Sequence, residues 1–122
     1  MRILAVDDDK DLREFYGALL RDEGHEVLLA RDGLEALTQL GSAPDLILLD
    51  LMMPVMDGYE FLRRLREHPQ GRHVPVLVVS AALPPGRDTL RGAQAVLRKP
   101  FDFDRMLRTI EMYGRGRGAA AN

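Results

Sequence analysis

Five polar residues follow four short apolar runs of the sequence, and their types suit phosphate chemistry. They are three aspartates, a serine and a lysine: Asp7, Asp8, Asp50, Ser80 and Lys99. An aspartate carboxylate can act as a nucleophile and form an aspartyl phosphate. Clustered carboxylates also suit Mg²⁺, which takes one or two of them together with waters and a substrate phosphate. With an ammonium and a hydroxyl to bind phosphoryl oxygens, the set predicts phosphoryl transfer onto the protein itself.

Five apolar runs of strand length alternate with segments that have helical spacing. The runs are residues 3–6, 27–30, 46–49, 76–79 and 95–97. Most are continuously apolar, which is typical of strands covered on both faces. Strand–helix alternation predicts an α/β domain with a parallel sheet and helices on both faces. Because ligands bind at the carboxyl ends of the strands in such a sheet, the five polar residues are predicted to meet at one edge.

Two of the predicted helices have clear starts, and one segment between strands has almost no helical pattern. Asp32 and Asp57 are predicted to be N-caps, since aspartate side chains accept hydrogen bonds from the first turn of a helix. Residues 81–94 are rich in proline and glycine. We expect at most a short or irregular fourth helix there, at about 87–92.

The aspartates after the first strand allow a second interpretation. They could form a solvated turn in which Asp8 or Asp9 caps the first helix, because aspartate is a common cap. The further carboxylate at Asp50 favours metal binding by Asp7 and Asp8 instead. Asp9 is left open between a helix cap and a charge at the rim of the site.

Composition limits the class of protein. The chain has 122 residues, 46% of them hydrophobic and 30% charged, with a formal net charge of -2 and no cysteine. This excludes disulfides, thiolate metal sites and cysteine nucleophiles, and it predicts one globular domain. No strong net charge attracts the chain to nucleic acid or membrane. The apolar runs are too short for a membrane span or the core of a signal peptide, so we expect a cytoplasmic protein.

Four segments, in order along the chain, resemble the receiver domain of response regulators in two-component signalling. They read ILAVDDD at 3–9, LILLDLMMPVMDG at 46–58, VVSA at 78–81 and LRKPF at 97–101. The resemblance covers about residues 1–113, which we predict to be the domain, and 114–122 would then be a flexible tail of glycine, arginine and alanine. It implies a doubly wound, flavodoxin-like fold with the strand order 2-1-3-4-5.

The resemblance also implies roles for the polar residues. Asp50 would take a phosphoryl group from a histidine kinase or a phosphotransfer protein. Asp8, Asp50 and the backbone carbonyl of Met52 would hold Mg²⁺, and Asp7 would act mainly through water. Lys99 would contact the phosphoryl group and precede a cis peptide bond. Ser80 would reorient towards the phosphoryl group as the switch.

Two departures from the family pattern lie away from the acceptor. The family usually has tyrosine or phenylalanine three residues before the lysine, where this chain has Val96. The stretch 80–99 is also a few residues shorter than is usual. Both fall on the face where receivers commonly dimerise or bind targets, and we expect a monomer or weak dimer.

Three functions are compatible with these patterns. The first is a phosphorylatable receiver that signals by protein contact, with no enzymatic activity beyond its own phosphorylation and slow dephosphorylation. The second is a pseudo-receiver, which uses the fold as a phosphorylation-independent binding module. The third is an aspartate-dependent phosphatase, which needs an acid/base carboxylate two residues after the nucleophile. Met52 occupies that position, so the third is disfavoured.

Overall fold

Five strands and four α-helices make up the part of the chain that the structure, a computed structural model, describes, and they alternate except that β5 follows β4 with no helix between them in the described residues. That part comprises residues 1–81, 83 and 89–121, without the side chains of 115–121. The strands are β1 (Arg2–Val6), β2 (Glu26–Ala30), β3 (Leu46–Leu49), β4 (Val76–Ser80) and β5 (Ala95–Arg98). The helices are α1 (Lys10–Asp22), α2 (Gly33–Thr38), α3 (Gly58–Glu67) and α4 (Phe103–Ala121), and a 3₁₀ turn (Leu40–Ser42) follows α2.

The five strands form one parallel sheet in the order β2-β1-β3-β4-β5. This confirms the predicted fold class and strand order. Each strand matches its predicted run to within one residue at either end. The register pairs Val6 of β1 with Leu49 of β3, so these two strands end side by side.

The sheet is covered on both faces, which explains why its strands are continuously apolar. In β1, Leu4 and Val6 pack into one core with residues of α2 and α3, here called the α2/α3 core. Ile3 and Ala5 alternate with them and pack into a second core with α1 and α4, called the α1/α4 core. Every position of such a strand is therefore buried. Each large aliphatic side chain buried in this way stabilises the fold by about 1.5–3 kcal/mol.

Three aspartates cap the first three helices. The Asp32 side chain accepts a hydrogen bond from the Glu35 amide at 2.8 Å, and Asp57 accepts one from the Glu60 amide at 2.9 Å. Both predicted caps are confirmed. Asp9 is the N-cap of α1 and accepts from the amides of residues 11 and 12, so the open question about Asp9 is answered in favour of the cap.

The segment before β5 is irregular where the structure describes it. Residues 89–92, part of the predicted short helix, form a turn in which the Ala93 amide donates to the Leu90 carbonyl at 3.0 Å. Gly92 has a φ of 91°, which a glycine adopts without strain. The rest of that predicted helix, residues 87 and 88, lies outside the described residues. The Arg66 guanidinium fixes the turn by donating to the Gly92 carbonyl.

The last helix extends into the predicted tail. Its backbone is helical to Ala121, and residue 122 lies outside the described range. The domain boundary at residue 113 stays a prediction. Within the described part of the chain, no helix combines the length and the apolar character that crossing a membrane requires.

Candidate functional site

The carboxyl ends of β1, β3, β4 and β5 position the predicted polar residues. Asp7 follows β1 and Asp50 follows β3, and the Asp50 amide donates to the Val6 carbonyl at 3.0 Å. Ser80 is the last residue of β4, and the Lys99 amide after β5 donates to the Ser80 carbonyl at 3.1 Å. These bonds extend the parallel ladder past the strand ends, so the backbone itself brings the residues to one edge.

Three carboxylates meet at this edge. Asp7, Asp8 and Asp50 each offer an oxygen atom, and these atoms all lie within 4.8 Å of one another. Asp7 and Asp50 are only 1% and 8% exposed, whereas Asp8 is open to solvent. Mg²⁺ takes oxygen ligands, is usually bound by one or two carboxylates, and keeps several of its waters. The donor set therefore fits a small divalent cation that keeps some of its water on the exposed side.

Lys99 supplies the positive charge of the site. Its Nζ atom lies 2.8 Å from Oδ2 of Asp7 and 3.5 Å from Oδ2 of Asp50. Burial alone would lower the pKa of Lys99, but the hydrogen bond to Asp7 and the charges of Asp7 and Asp50 outweigh it and raise that pKa. The lysine is thus a charged ammonium that binds Asp7 more closely than Asp50.

Asp7 is the most deeply buried of the three carboxylates. Burial raises its pKa, and the hydrogen bonds from Lys99 and from the Asp9 amide oppose that rise only in part. The Asp7 carbonyl also accepts a hydrogen bond from Nη1 of Arg13 at 2.8 Å. Arg13 was not predicted to lie near the site, because an arginine on the first turns of an amphipathic helix carries no distinctive sequence signal.

The loop after Asp50 packs tightly against the acceptor. The Met52 amide donates to Oδ1 of Asp50 at 3.3 Å, and the Gly58 amide donates to the Leu51 carbonyl at 2.9 Å. Between them the Met56 amide donates to the Pro54 carbonyl at 2.7 Å across Val55, whose φ is 70°. This is a γ-turn with a β-branched residue in a strained conformation. The Met52 side chain is 63% exposed, and metal binding by its carbonyl stays a prediction.

Ser80 lies at the neighbouring strand end and on the other face of the sheet. It is fully buried, and alternation along β4 puts it on the side of Val76 and Val78, in line with the α2/α3 core. The structure therefore brings Asp7, Asp8, Asp50 and Lys99 together. Reorientation of Ser80 towards them stays a prediction, whereas the predicted cis peptide bond between Lys99 and Pro100 is confirmed.

The fold and this acidic edge define a class of parallel α/β domains with a carboxylate cluster at the carboxyl ends of the strands, and comparison with known proteins identifies the family. The family model described as response regulator receiver domain matches residues 3–111. The chain therefore belongs to the response-regulator receiver domain family.

Individual relatives agree with this assignment. The response regulator MprA of Mycobacterium leprae is 41% identical over an alignment of 119 residues that covers 90% of this chain and 49% of that protein. The chain thus spans about half the length of the curated relatives that it matches. The chemotaxis response regulator CheY4 of Vibrio cholerae has a TM-score of 0.82 and 34% identity, over 92% of this chain and 97% of that one. The Francisella response regulator 1452 receiver domain has a TM-score of 0.83 and 29% identity, over 93% and 96%.

Gly58 offers a test of the packing around the acceptor. A Cβ atom added there would lie 2.6 Å from the Asp50 carbonyl oxygen and 2.6 Å from Cα of Leu51. Both atoms belong to the backbone, so Gly58→Ala should lower the free energy of unfolding by about 1–3 kcal/mol despite the better helix propensity of alanine. Urea denaturation measures it. Gly41→Ala is the control, because nothing lies within 4 Å of its added Cβ, and equal effects of the two substitutions would contradict this account.

Asp7 should make the stability of the metal-free domain depend on pH. Its pKa in the folded state is raised above the ordinary 3.8. The folded protein therefore holds this proton more tightly than the unfolded chain. The stability that the bound proton contributes is lost as pH rises through the interval between the pKa of Asp7 in the unfolded chain and its higher pKa in the folded protein. In buffer with a chelator, the stability of Asp7→Asn relative to the wild type should therefore increase as pH rises above about 4.

Urea denaturation of the two proteins from pH 4 to pH 7.5 measures this difference. Asp22→Asn, which neutralises an exposed carboxylate at the other end of α1, is the control for the loss of one negative charge. If the stability of Asp7→Asn relative to the wild type falls as pH rises, the bond to Lys99 outweighs burial and the interpretation is wrong.

Proposed function

We propose that this chain is a phosphoryl-accepting signalling switch. Asp50 takes the phosphoryl group from the phosphohistidine of a histidine kinase or a phosphotransfer protein, in a reaction that depends on Mg²⁺. The observation that carries the proposal is the position of the Asp50 carboxylate, beside Asp7, Asp8 and Lys99 at the edge of the sheet.

The transfer itself requires only that the nucleophile be positioned and the charge neutralised. An Asp50 carboxylate oxygen attacks phosphorus, a phosphorus–oxygen bond forms, and the phosphorus–nitrogen bond of the donor breaks with its electron pair passing to the imidazole. Asp50 is held for this by the Met52 amide on Oδ1, while Oδ2 faces the ammonium of Lys99. Mg²⁺ held by Asp8, Asp50 and the Met52 carbonyl, with Asp7 acting through water, would supply positive charge for the phosphoryl oxygens.

Lys99 is positioned so that its ammonium could move from Asp7 to a phosphoryl group on Asp50. In the unphosphorylated protein its Nζ atom is 0.7 Å closer to Asp7 than to Asp50, as the distances of 2.8 and 3.5 Å show. A phosphoryl group on Asp50 would bring a higher negative charge within reach of the same ammonium. Lys99 would then bind a phosphoryl oxygen in place of Asp7, and the Ser80 hydroxyl would donate a second hydrogen bond from the neighbouring strand.

The output would run through protein contacts. Val96 pairs with Val78 and packs against the α2/α3 core, where an aromatic ring is usual in the family. This substitution supports the alternative function, a pseudo-receiver that binds its partner without phosphorylation. We favour the switch because all five acceptor-site residues are present. The same proposal includes a cytoplasmic location and a monomer or weak dimer. It also includes no direct binding of nucleic acid or membrane and no further enzymatic activity.

Phosphorylation with a small donor tests the assignment of the acceptor. Incubation with acetyl phosphate and Mg²⁺ should add the mass of one phosphoryl group to the intact protein. Asp50→Asn should show no gain, because its amide cannot act as the nucleophile. Intact-protein mass spectrometry measures both. An unchanged wild-type mass would support the pseudo-receiver, and a gain that persists in Asp50→Asn would place the phosphoryl group elsewhere.

Mg²⁺ should stabilise the folded domain, since the carboxylate cluster exists only when the chain is folded. At a Mg²⁺ concentration about 100 times the dissociation constant, binding to the folded state alone adds about 2.7 kcal/mol to the free energy of unfolding. Asp8→Asn should reduce this gain. Thermal unfolding with Mg²⁺ or with a chelator measures it, and Asp11→Asn, an exposed aspartate on α1, is the control. An undiminished gain in Asp8→Asn would remove Asp8 from the metal site.

A further inference from the structure

Tyr16 on α1 carries a buried hydroxyl group whose role the acceptor chemistry leaves unexplained. The residue is 2% exposed, and among the described residues its Oη atom has no hydrogen-bond partner. A tyrosine hydroxyl that is taken out of water is normally hydrogen-bonded, because an unmade bond costs free energy. Phenylalanine would fill the same space without that cost, so the hydroxyl calls for a reason.

The ring of Tyr16 lies in the layer of side chains beneath the acidic edge. It packs in the α1/α4 core with Ala5, Leu48 and Leu97. Ala5, Leu48 and Leu97 come two positions before the site residues, which are Asp7, Asp50 and Lys99 respectively. Since side chains alternate along a strand, those three site residues continue the same face of the sheet one layer further on. The Tyr16 ring also stacks on Phe101, with 6.2 Å between the ring centroids.

The hydroxyl is close enough to the site to respond to its charges. Burial raises the pKa of the Tyr16 phenol, and the negative charges of Asp7, Asp50 and Asp9 raise it further, with Asp7 the strongest of the three. The group therefore stays protonated and can donate a hydrogen bond. Because the charges around it are negative, the Tyr16 hydroxyl is favoured to donate its hydrogen bond to a carboxylate.

Asp7 needs a further hydrogen-bond donor at one stage of the proposed reaction. Lys99 is bonded to Asp7 in the unphosphorylated protein, but it would be required at the phosphoryl group afterwards. Asp7 is almost fully buried, and among the described residues its remaining protein donor would be the Asp9 amide on its other oxygen, beside the water of the proposed Mg²⁺. The carboxylate oxygen that Lys99 leaves would then lack a protein donor, and leaving a buried acceptor unpaired costs free energy unless another donor replaces the lost one.

We propose that Tyr16 is a positioning residue of the acceptor site, and that its hydroxyl donates to the Asp7 carboxylate, directly or across one water, once Lys99 has moved to the phosphoryl group. This inference rests on the proposed function. It assigns to Tyr16 a bond that is absent in the unphosphorylated protein and made in the phosphorylated one. The hydroxyl would thus stabilise the phosphorylated state relative to the unphosphorylated state.

The test is Tyr16→Phe, which removes the hydroxyl and keeps the ring against Phe101. Without ligands the variant should unfold at a temperature equal to or above that of the wild type, because a buried group without a partner has been removed. With Mg²⁺ and beryllofluoride, a mimic of the phosphoryl group, it should gain less stability than the wild type. Its rate of phosphorylation by acetyl phosphate should fall by about fivefold, the equivalent of one net hydrogen bond. Tyr59→Phe on α3 is the control, since Tyr59 is 46% exposed.

Carbon-13 NMR of the tyrosine Cζ atoms gives a readout that a merely structural role would not change. In the wild type the Tyr16 signal should shift on addition of Mg²⁺ and beryllofluoride, and Asp50→Asn should abolish the shift. An unmoved Tyr16 signal, or a Tyr16→Phe variant that gains as much stability as the wild type, would overturn the role of Tyr16 while leaving the acceptor intact. A wild type that binds no beryllofluoride would instead overturn the proposed function, and the role of Tyr16 with it.

Discussion

The central constraint on this domain is that negative charge must be held out of water at one edge of a sheet. Asp7 and Asp50 are nearly buried, and one ammonium is shared between them. Coulomb repulsion between such groups is strong because the protein around them screens poorly. The fold tolerates this because the backbone, through the parallel ladder that continues past the strand ends, fixes both carboxylates. In the proposed function, a cation and a phosphoryl group would bind at this edge, and the stability of the domain would depend on both.

The loop after Asp50 is packed closely against the acceptor. The loop after Asp50 returns so closely that a side chain at Gly58 would strike the acceptor's own carbonyl. It turns through a strained Val55 before Met56 becomes buried against Gly33. Strain of this kind persists where the surrounding structure over-determines the backbone. Here the backbone of the loop is fixed by β3 before it and by the capped start of α3 after it.

Most of the fold and the four clustered site residues could be predicted from sequence because they depend on strong, local patterns. Continuous apolar runs located the strands, and aspartates at helix starts located α2 and α3. The parallel sheet then required Asp7, Asp50 and Lys99 to meet. Arg13 and Tyr16 could not be predicted in this way. Arginine and tyrosine on an amphipathic helix are ordinary. Only three-dimensional packing shows that Arg13 reaches the Asp7 carbonyl and that the buried Tyr16 hydroxyl has no hydrogen-bond partner within the described part of the chain.

The distribution of residues between the two faces of the sheet limits how a phosphoryl group could be sensed. Asp50 and Lys99 continue the α1/α4 face, whereas Ser80 and Val96 lie on the α2/α3 face with Leu83 and Leu90 of the irregular segment. In the proposed switch, the signal would therefore have to cross the sheet at the ends of β4 and β5. With valine in place of an aromatic ring, little side-chain volume could move on that second face. The coupling would then depend on Ser80 and on the backbone that Arg66 fixes before β5, so the output would be a small shift of the segment before β5 and not the swing of a ring.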